Sequence, residues 1–122
     1  MEVRMKRVVN IMKALGEENR FRIVMMLRER ALCVCEICSV LDISLSTVST
    51  HLKQLTQAGI LKSQKDGRWV VYAWTDVPSV RDLIERVRKE VNDEEKLNND
   101  LLRIREVDRK SCGTVLRGEG RE

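Results

Sequence analysis

The sequence has no apolar run approaching the roughly 20 residues that cross a bilayer. Its amino terminus, "MEVRMKRVVN", lacks the apolar centre and small-residue cleavage site of a signal peptide. Membrane insertion and export are therefore not expected, and the expected compartment is the cytoplasm. Histidine is nearly absent, since His51 is the only one. There is no paired-carboxylate motif, no Gly-rich loop to cradle phosphates and no cysteine–histidine pair close along the chain, so the sequence does not read as an enzyme. It also contains no internal repeat and no long low-complexity tract.

What is present is a chain of 122 residues, long enough for one domain with a modest core. Charged residues make up 34% and apolar ones 43%, which suits a helix-rich protein. The net charge of +4 is compatible with a polyanionic partner without establishing one. Three of the four cysteines, Cys33, Cys35 and Cys38, fall within the stretch "LCVCEIC". In a reducing compartment such a cluster points to metal binding or redox response rather than to structural disulfides.

Met5, Val8, Val9, Met12 and Leu15 recur at helical spacing, predicting an amphipathic first helix that Gly16 interrupts. "EENRFRIVMMLRER" opens with acids and closes with bases, as a helix dipole favours. "VCEICSVL" is a short helix, "DIS" a turn ending in an N-cap at Ser44, and Gly59 stops the longer helix that follows. "ILKSQ" and "RWVVYAW" then alternate like strands around "KDGR", whose Asp66-Gly67 pair predicts a tight hairpin turn. Beyond Pro78 an apolar stripe of Val80, Leu83, Ile84, Val87 and Val91 marks another helix. It falters near Asn92 and resumes at Leu97, Leu101 and Ile104, which predicts a kink or two successive helices. The expected division is a domain over residues 1–92 and a helical extension with a flexible tail over residues 93–122.

A short helix, a turn, a longer helix and a basic-tipped hairpin follow one another in the order of a winged helix-turn-helix, a mainly α fold with a small β-hairpin. Leu45, Val48, Leu52 and Leu55 form a seam that would fix the longer helix to the body. Its other side offers Ser46, Thr47, Ser49, Thr50, Lys53, Gln54 and Gln57, which suit base edges and phosphates in a major groove. Lys65 and Arg68 flank the hairpin turn, where they could reach phosphates or the minor groove. Each residue alone could belong to a solvated face; the combination, in this order, points to double-stranded DNA. His51 has no carboxylate or cysteine at helical contact spacing and reads as a helix-face or packing residue.

Cys35 and Cys38 are three apart and share one helix face, whereas Cys33 would point nearly opposite to Cys35 in a regular helix. One ion gathers all three sulfurs only if the helix begins late or loses its first turn. Small buried hydrophobes are the plainer reading of cysteines, and a weaker one for three so close together. Thiolates favour a thiophilic ion over calcium or magnesium. Zinc usually takes four ligands, and the remaining cysteine, Cys112, is far along the chain. A trivalent arsenic or antimony centre forms three bonds and keeps a lone pair, which matches the count of three.

With "ALGEENRFRIVMML", "LCVCEIC", "STVSTHLKQLTQAGIL" and "KDGRWVVYAW" in this order, the chain resembles the ArsR/SmtB family of metal-responsive winged-helix repressors over residues 3–92. Among them it resembles the arsenic-sensing repressors of arsenical-resistance operons. The resemblance implies a homodimer, joined through the first and last helices, that holds operator DNA and releases it when arsenite or antimonite binds Cys33, Cys35 and Cys38. No permanent cofactor is implied. Cadmium- and lead-sensing relatives add a cysteine from the amino-terminal arm, and none precedes Cys33 here. Zinc-sensing relatives place histidines on the last helix, which has none here. Two alternatives stay open: a DNA-binding repressor switched by thiol oxidation, for which cysteines at a helix amino terminus could have lowered pKa values, and a thiol metal buffer with no DNA target. If three thiolates close around arsenic, the expected consequence is unwinding of the first turn of the short helix.

Overall fold

Gly16 separates two helices, and Glu17 starts the second by accepting the Arg20 N–H at 2.8 Å. In the computed structural model, which describes residues 2–108 with side chains from residue 4, these are α1 (Glu2–Leu15) and α2 (Glu18–Leu27). They are followed by β1 (Leu32–Cys33), α3 (Val34–Leu41), α4 (Leu45–Gln57), β2 (Leu61–Asp66), β3 (Trp69–Trp74), α5 (Pro78–Glu90) and α6 (Glu95–Ile104). Cys112 and the Gly-rich end lie outside the described residues. No helix among those described is long and apolar enough to cross a membrane.

The core is built on α2, whose run Ile23–Leu27 is buried throughout, as a continuous apolar stretch requires. Ile37, Val40 and Leu41 of α3, Val48, Leu52 and Leu55 of α4, Trp74 of β3 and Val80 and Ile84 of α5 close around it. Trp74 also donates its indole N–H to the Val24 carbonyl at 2.8 Å, satisfying the polar atom of a buried aromatic.

The sheet has three strands in the order β1-β3-β2, all antiparallel, rather than the two expected. The added strand is Leu32–Cys33, which pairs with Tyr72 and Val71. Two residues carry no readable period, so this strand is set by its partner 38 or more positions away and not by local pattern. The hairpin turn also differs in detail. Asp66 pairs with Trp69 as the last residue of β2, leaving Gly67 and Arg68 as the loop, and only Gly67 has positive φ (68°). This is the two-residue turn that takes glycine at its first central position.

The break after α5 gives two helices, with Asp93 at φ 68° between them. α6 packs on α2 and α3: Ile104 lies in the core, and Leu97 and Leu101 pack against it. Asp100 is buried and takes two bonds of 2.9 Å from Arg22. Arg103 reaches across to the Val40 carbonyl at 2.7 Å.

Candidate functional site

α4 is held at both ends by its own sequence. Ser44 caps it by accepting the Thr47 N–H at 3.2 Å. At the other end Gly59 adopts φ 84°, and the bonds from the Ile60 N–H to the Leu55 carbonyl and from the Gly59 N–H to the Thr56 carbonyl close a Schellman motif. Val48, Leu52 and Leu55 are fully buried. Leu45, expected in the same seam, is instead 51% exposed, because the first turn of the helix reaches past the body it packs on.

Ser46, Thr47, Ser49, Thr50, Lys53, Gln54 and Gln57 are all exposed, as are Lys65 and Arg68 of the hairpin. Some of these groups already have partners. Ser44 donates to the Thr47 hydroxyl at 2.8 Å, and Thr50 donates to the Ser46 carbonyl at 3.0 Å. Gln54 and Gln57 border a concavity shared with Asn10, Lys13 and Arg20, on the side of α4 nearer α1. The Arg68 guanidinium stands 5.6 Å over the Trp69 ring, a cation–π contact that orients it at the tip of the hairpin.

Arg20, which carried no signal in the sequence beyond its place in α2, links three helices. Its guanidinium donates to the carbonyls of Ala14 (2.7 Å) and Lys13 (3.4 Å) at the end of α1, and to Gln54 Oε1 (2.8 Å) on α4. His51 sits beside this group, with Nδ1 3.5 Å from Arg20 and Nε2 3.8 Å from the Glu17 carboxylate. It is half-buried between α2 and α4, and its carboxylate neighbour comes from another helix rather than from its own.

The thiols lie at the junction of β1 and α3. Cys33 is extended (φ −90°, ψ 169°) and is the N-cap of α3, so the helix begins at Val34 and Cys33 stands outside it. That removes the helical geometry that would set Cys33 opposite Cys35, and their sulfurs lie 3.0 Å apart. The helix thus begins late, which is one of the two conditions under which the three sulfurs could be gathered. Cys33 and Glu36 form a reciprocal capping box: Glu36 Oε1 accepts the Cys33 N–H at 2.9 Å, and the Glu36 N–H points at the Cys33 sulfur. Cys38 follows one turn after Cys35, and all three thiols are buried.

Burial, then the contact with Cys35, pushes the Cys33 thiol up to about 12. Burial, then the nearby Cys33, also raises Cys38. Proximity to a helix amino terminus therefore does not lower these thiols, because desolvation of the thiolate outweighs it. Among the described residues no group of three His, Cys, Asp or Glu side chains is placed to hold a metal ion. The resting arrangement thus provides one close pair and a third thiol on the next turn.

A helix-turn-helix carrying exposed hydroxyl and amide side chains, joined to a basic-tipped hairpin, has the geometry of a DNA-binding module. The sequence description "Bacterial regulatory protein, arsR family" matches residues 17–63. The arsenic resistance transcriptional regulator ArsR1 of Pseudomonas putida is 37% identical over 100 residues, covering 80% of this chain and 77% of that one. The chain belongs to the ArsR family. Another ArsR-family relative, the arsenical resistance operon repressor of Escherichia coli, is 42% identical over 65 residues, which is 52% of this chain and 56% of that one. Among solved structures, reduced HlyU from Vibrio cholerae superposes with a TM-score of 0.67 at 30% identity, covering 76% of this chain and 97% of HlyU.

ArsR-family membership makes the chain a winged-helix transcriptional regulator, and the family and structural neighbours are transcriptional regulators, not enzymes. It also removes the reading of a thiol metal buffer without a DNA target.

Proposed function

We propose that this protein is a homodimeric, cytoplasmic repressor that holds operator DNA and releases it when arsenite or antimonite binds Cys33, Cys35 and Cys38. The observation that carries the reading is the 3.0 Å contact between Cys33 and Cys35 at the start of α3, with Cys38 one turn on. Cys35 and Cys38 lie on the first helix of the helix-turn-helix and Cys33 caps it, so a change in their spacing acts on the helix that packs against α4. The relatives named for arsenic resistance point to the same ligand class.

The chemistry of the donor set fits a trivalent arsenic hydroxide. Three neutral thiols condense with As(OH)₃ to give three As–S bonds and three waters, each thiol proton leaving on a hydroxide. Buried thiols, with Cys33 and Cys38 raised, supply what that exchange needs. A divalent cation must instead expel the protons into solvent.

On DNA, Ser46, Thr47, Ser49, Thr50 and Lys53 face the groove, Gln54 and Gln57 lie toward its α1 side, and Lys65 and Arg68 reach the backbone beside it. Dimerisation is supported by α1, where Ile11 and Ala14 face the core while Met5 (66% exposed), Val8, Val9 and Met12 (62%) form an apolar stripe on the outside. Residues 1–92 would carry these functions, with residues 93–122 as an addition to them.

The test is fluorescence anisotropy of labelled operator titrated with arsenite, antimonite, cadmium and zinc. Release by the trivalent species at lower concentration than by the divalent ones is expected. Retention of DNA at saturating arsenite would sink the reading. The same contact also favours a second reading, a Cys33–Cys35 disulfide switch, in which mild peroxide removes two hydrogens and is reduced to water. The raised Cys33 pKa works against it, because the thiolate is the attacking species. Mass spectrometry before and after peroxide separates the two.

A further inference from the structure

Glu36 is 3% exposed and carries a carboxylate into the protein beside the thiols. Buried carboxylates need partners, and Glu36 has one on each oxygen. Oε1 accepts the Cys33 N–H at 2.9 Å, and Oε2 accepts Arg30 Nη1 at 3.2 Å. The other end of the same guanidinium, Nη2, donates to the carbonyls of Ile104 (3.2 Å) and Val107 (3.1 Å), at the end of α6 and just beyond it. Carbonyls at a helix end have no partner within the helix, so Arg30 serves as their cap. A continuous path of hydrogen bonds thus runs from the Cys33 backbone through Glu36 and Arg30 to the end of α6. At the other end of α3, Arg103 of α6 bonds the Val40 carbonyl. α6 therefore grips the cysteine-bearing helix at both ends.

We propose that Glu36 and Arg30 are positioning residues of the three-cysteine site, which hold Cys33 in its resting conformation and couple ligand closure on the sulfurs to the release of α6 from α3. The inference rests on the arsenite reading and adds a role for the segment after Asn92. The resting thiols form a pair and not a three-ligand site, so closing them moves Cys33 or the first turn of α3. The Cys33 N–H cannot move without stretching its bond to Glu36. Glu36 cannot follow without leaving Arg30 or pulling it from the α6 carbonyls. The relay therefore opposes closure, and its rupture transmits closure to α6. Sites coupled through a shared two-state element influence one another reciprocally.

The test uses the full chain and two variants. Arg30→Met keeps an unbranched apolar stem and removes the guanidinium that makes the relay. Glu36→Gln keeps an acceptor for the Cys33 N–H and removes the charge that holds Arg30. In both, operator release should need less arsenite than in the wild type, by a factor on the order of 5 to 150 for Arg30→Met and less for Glu36→Gln. Loss of a merely structural contact would weaken operator binding without making arsenite more effective. Hydrogen exchange over residues 95–104 should quicken when arsenite is added to the wild type, and should be fast in Arg30→Met before any is added. The inference is overturned if arsenite releases DNA from the wild type while α6 exchange is unchanged, or if both variants release at the wild-type concentration. A wild type that keeps its operator at saturating arsenite overturns the parent reading, and this one with it.

Discussion

The Cys33 sulfur lies 3.0 Å from that of Cys35 although the two residues are only two apart, because Cys33 is a strand residue opposite Val71 and the N-cap of α3 rather than part of the helix. Replacing Cys33, Cys35 or Cys38 by serine keeps the size of the side chain and removes the soft sulfur. Each variant should hold operator DNA as the wild type does and fail to release it at the arsenite concentration that empties the wild type. Cys112→Ser should respond normally. Anisotropy titrations of the four variants decide this, and normal release from Cys35→Ser would remove the cluster from the sensing role.

Protonation separates the candidate ligands. With Cys33 raised to about 12 and Cys38 raised as well, these two thiols hold their protons across pH 6 to 8.5. A divalent cation has to displace those protons, so cadmium binding should tighten as pH rises, by about tenfold per pH unit for each proton expelled. Arsenite carries hydroxides that take up the protons as water, so its binding should change little over the same range. Isothermal titration in buffers of different ionisation enthalpy measures the protons released. Proton uptake on arsenite binding, or cadmium binding without proton release, would contradict the neutral resting thiols.

Lys65 lies at the end of β2, next to the hairpin turn, and is exposed. If it neutralises a phosphate, Lys65→Ala should weaken different operator sequences alike and reduce the slope of log affinity against log salt by about 1. Lys53→Ala should act in the same direction. An unchanged slope would place Lys65 off the DNA.

For the dimer, α1 offers a cleaner test than α5. Leu83 packs against the core, so charging it would disturb the fold together with any interface. Met5 and Met12 are exposed and contribute nothing to the core. Met5→Glu with Met12→Glu should leave the chain folded, shift it to a monomer in sedimentation and weaken binding to a two-half-site operator. A double variant that still sediments as a dimer would move the interface elsewhere.

Asp100 and Arg22 fasten α6 to α2 in a nearly dry contact. Asp100→Ala leaves the Arg22 guanidinium largely buried without its partner, and should lower stability by about 3 to 5 kcal/mol in urea unfolding. A loss below about 1 kcal/mol, the range of exposed pairs, would show that α6 adds little to the folded domain.

Local pattern was enough for the helix-turn-helix and its hairpin. The Val48, Leu52 and Leu55 spacing, the Ser44 cap, the Gly59 stop and the pairing of β2 with β3 around Gly67 are properties of neighbours in sequence, and the structure has each of them. The count and spacing of cysteines likewise marked a thiol cluster at the start of a short helix. What the sequence could not determine depends on residues far apart. Leu32 and Cys33 become a strand because β3 lies beside them, and that pairing takes Cys33 out of the helix and sets it against Cys35. Arg30, Glu36 and the end of α6 meet only after folding, across a separation of more than 60 residues, and Arg20 reaches Gln54 in the same way. Periodicity reports which face of an element is apolar; it holds no information about which distant charge or carbonyl that face will bring within 3 Å.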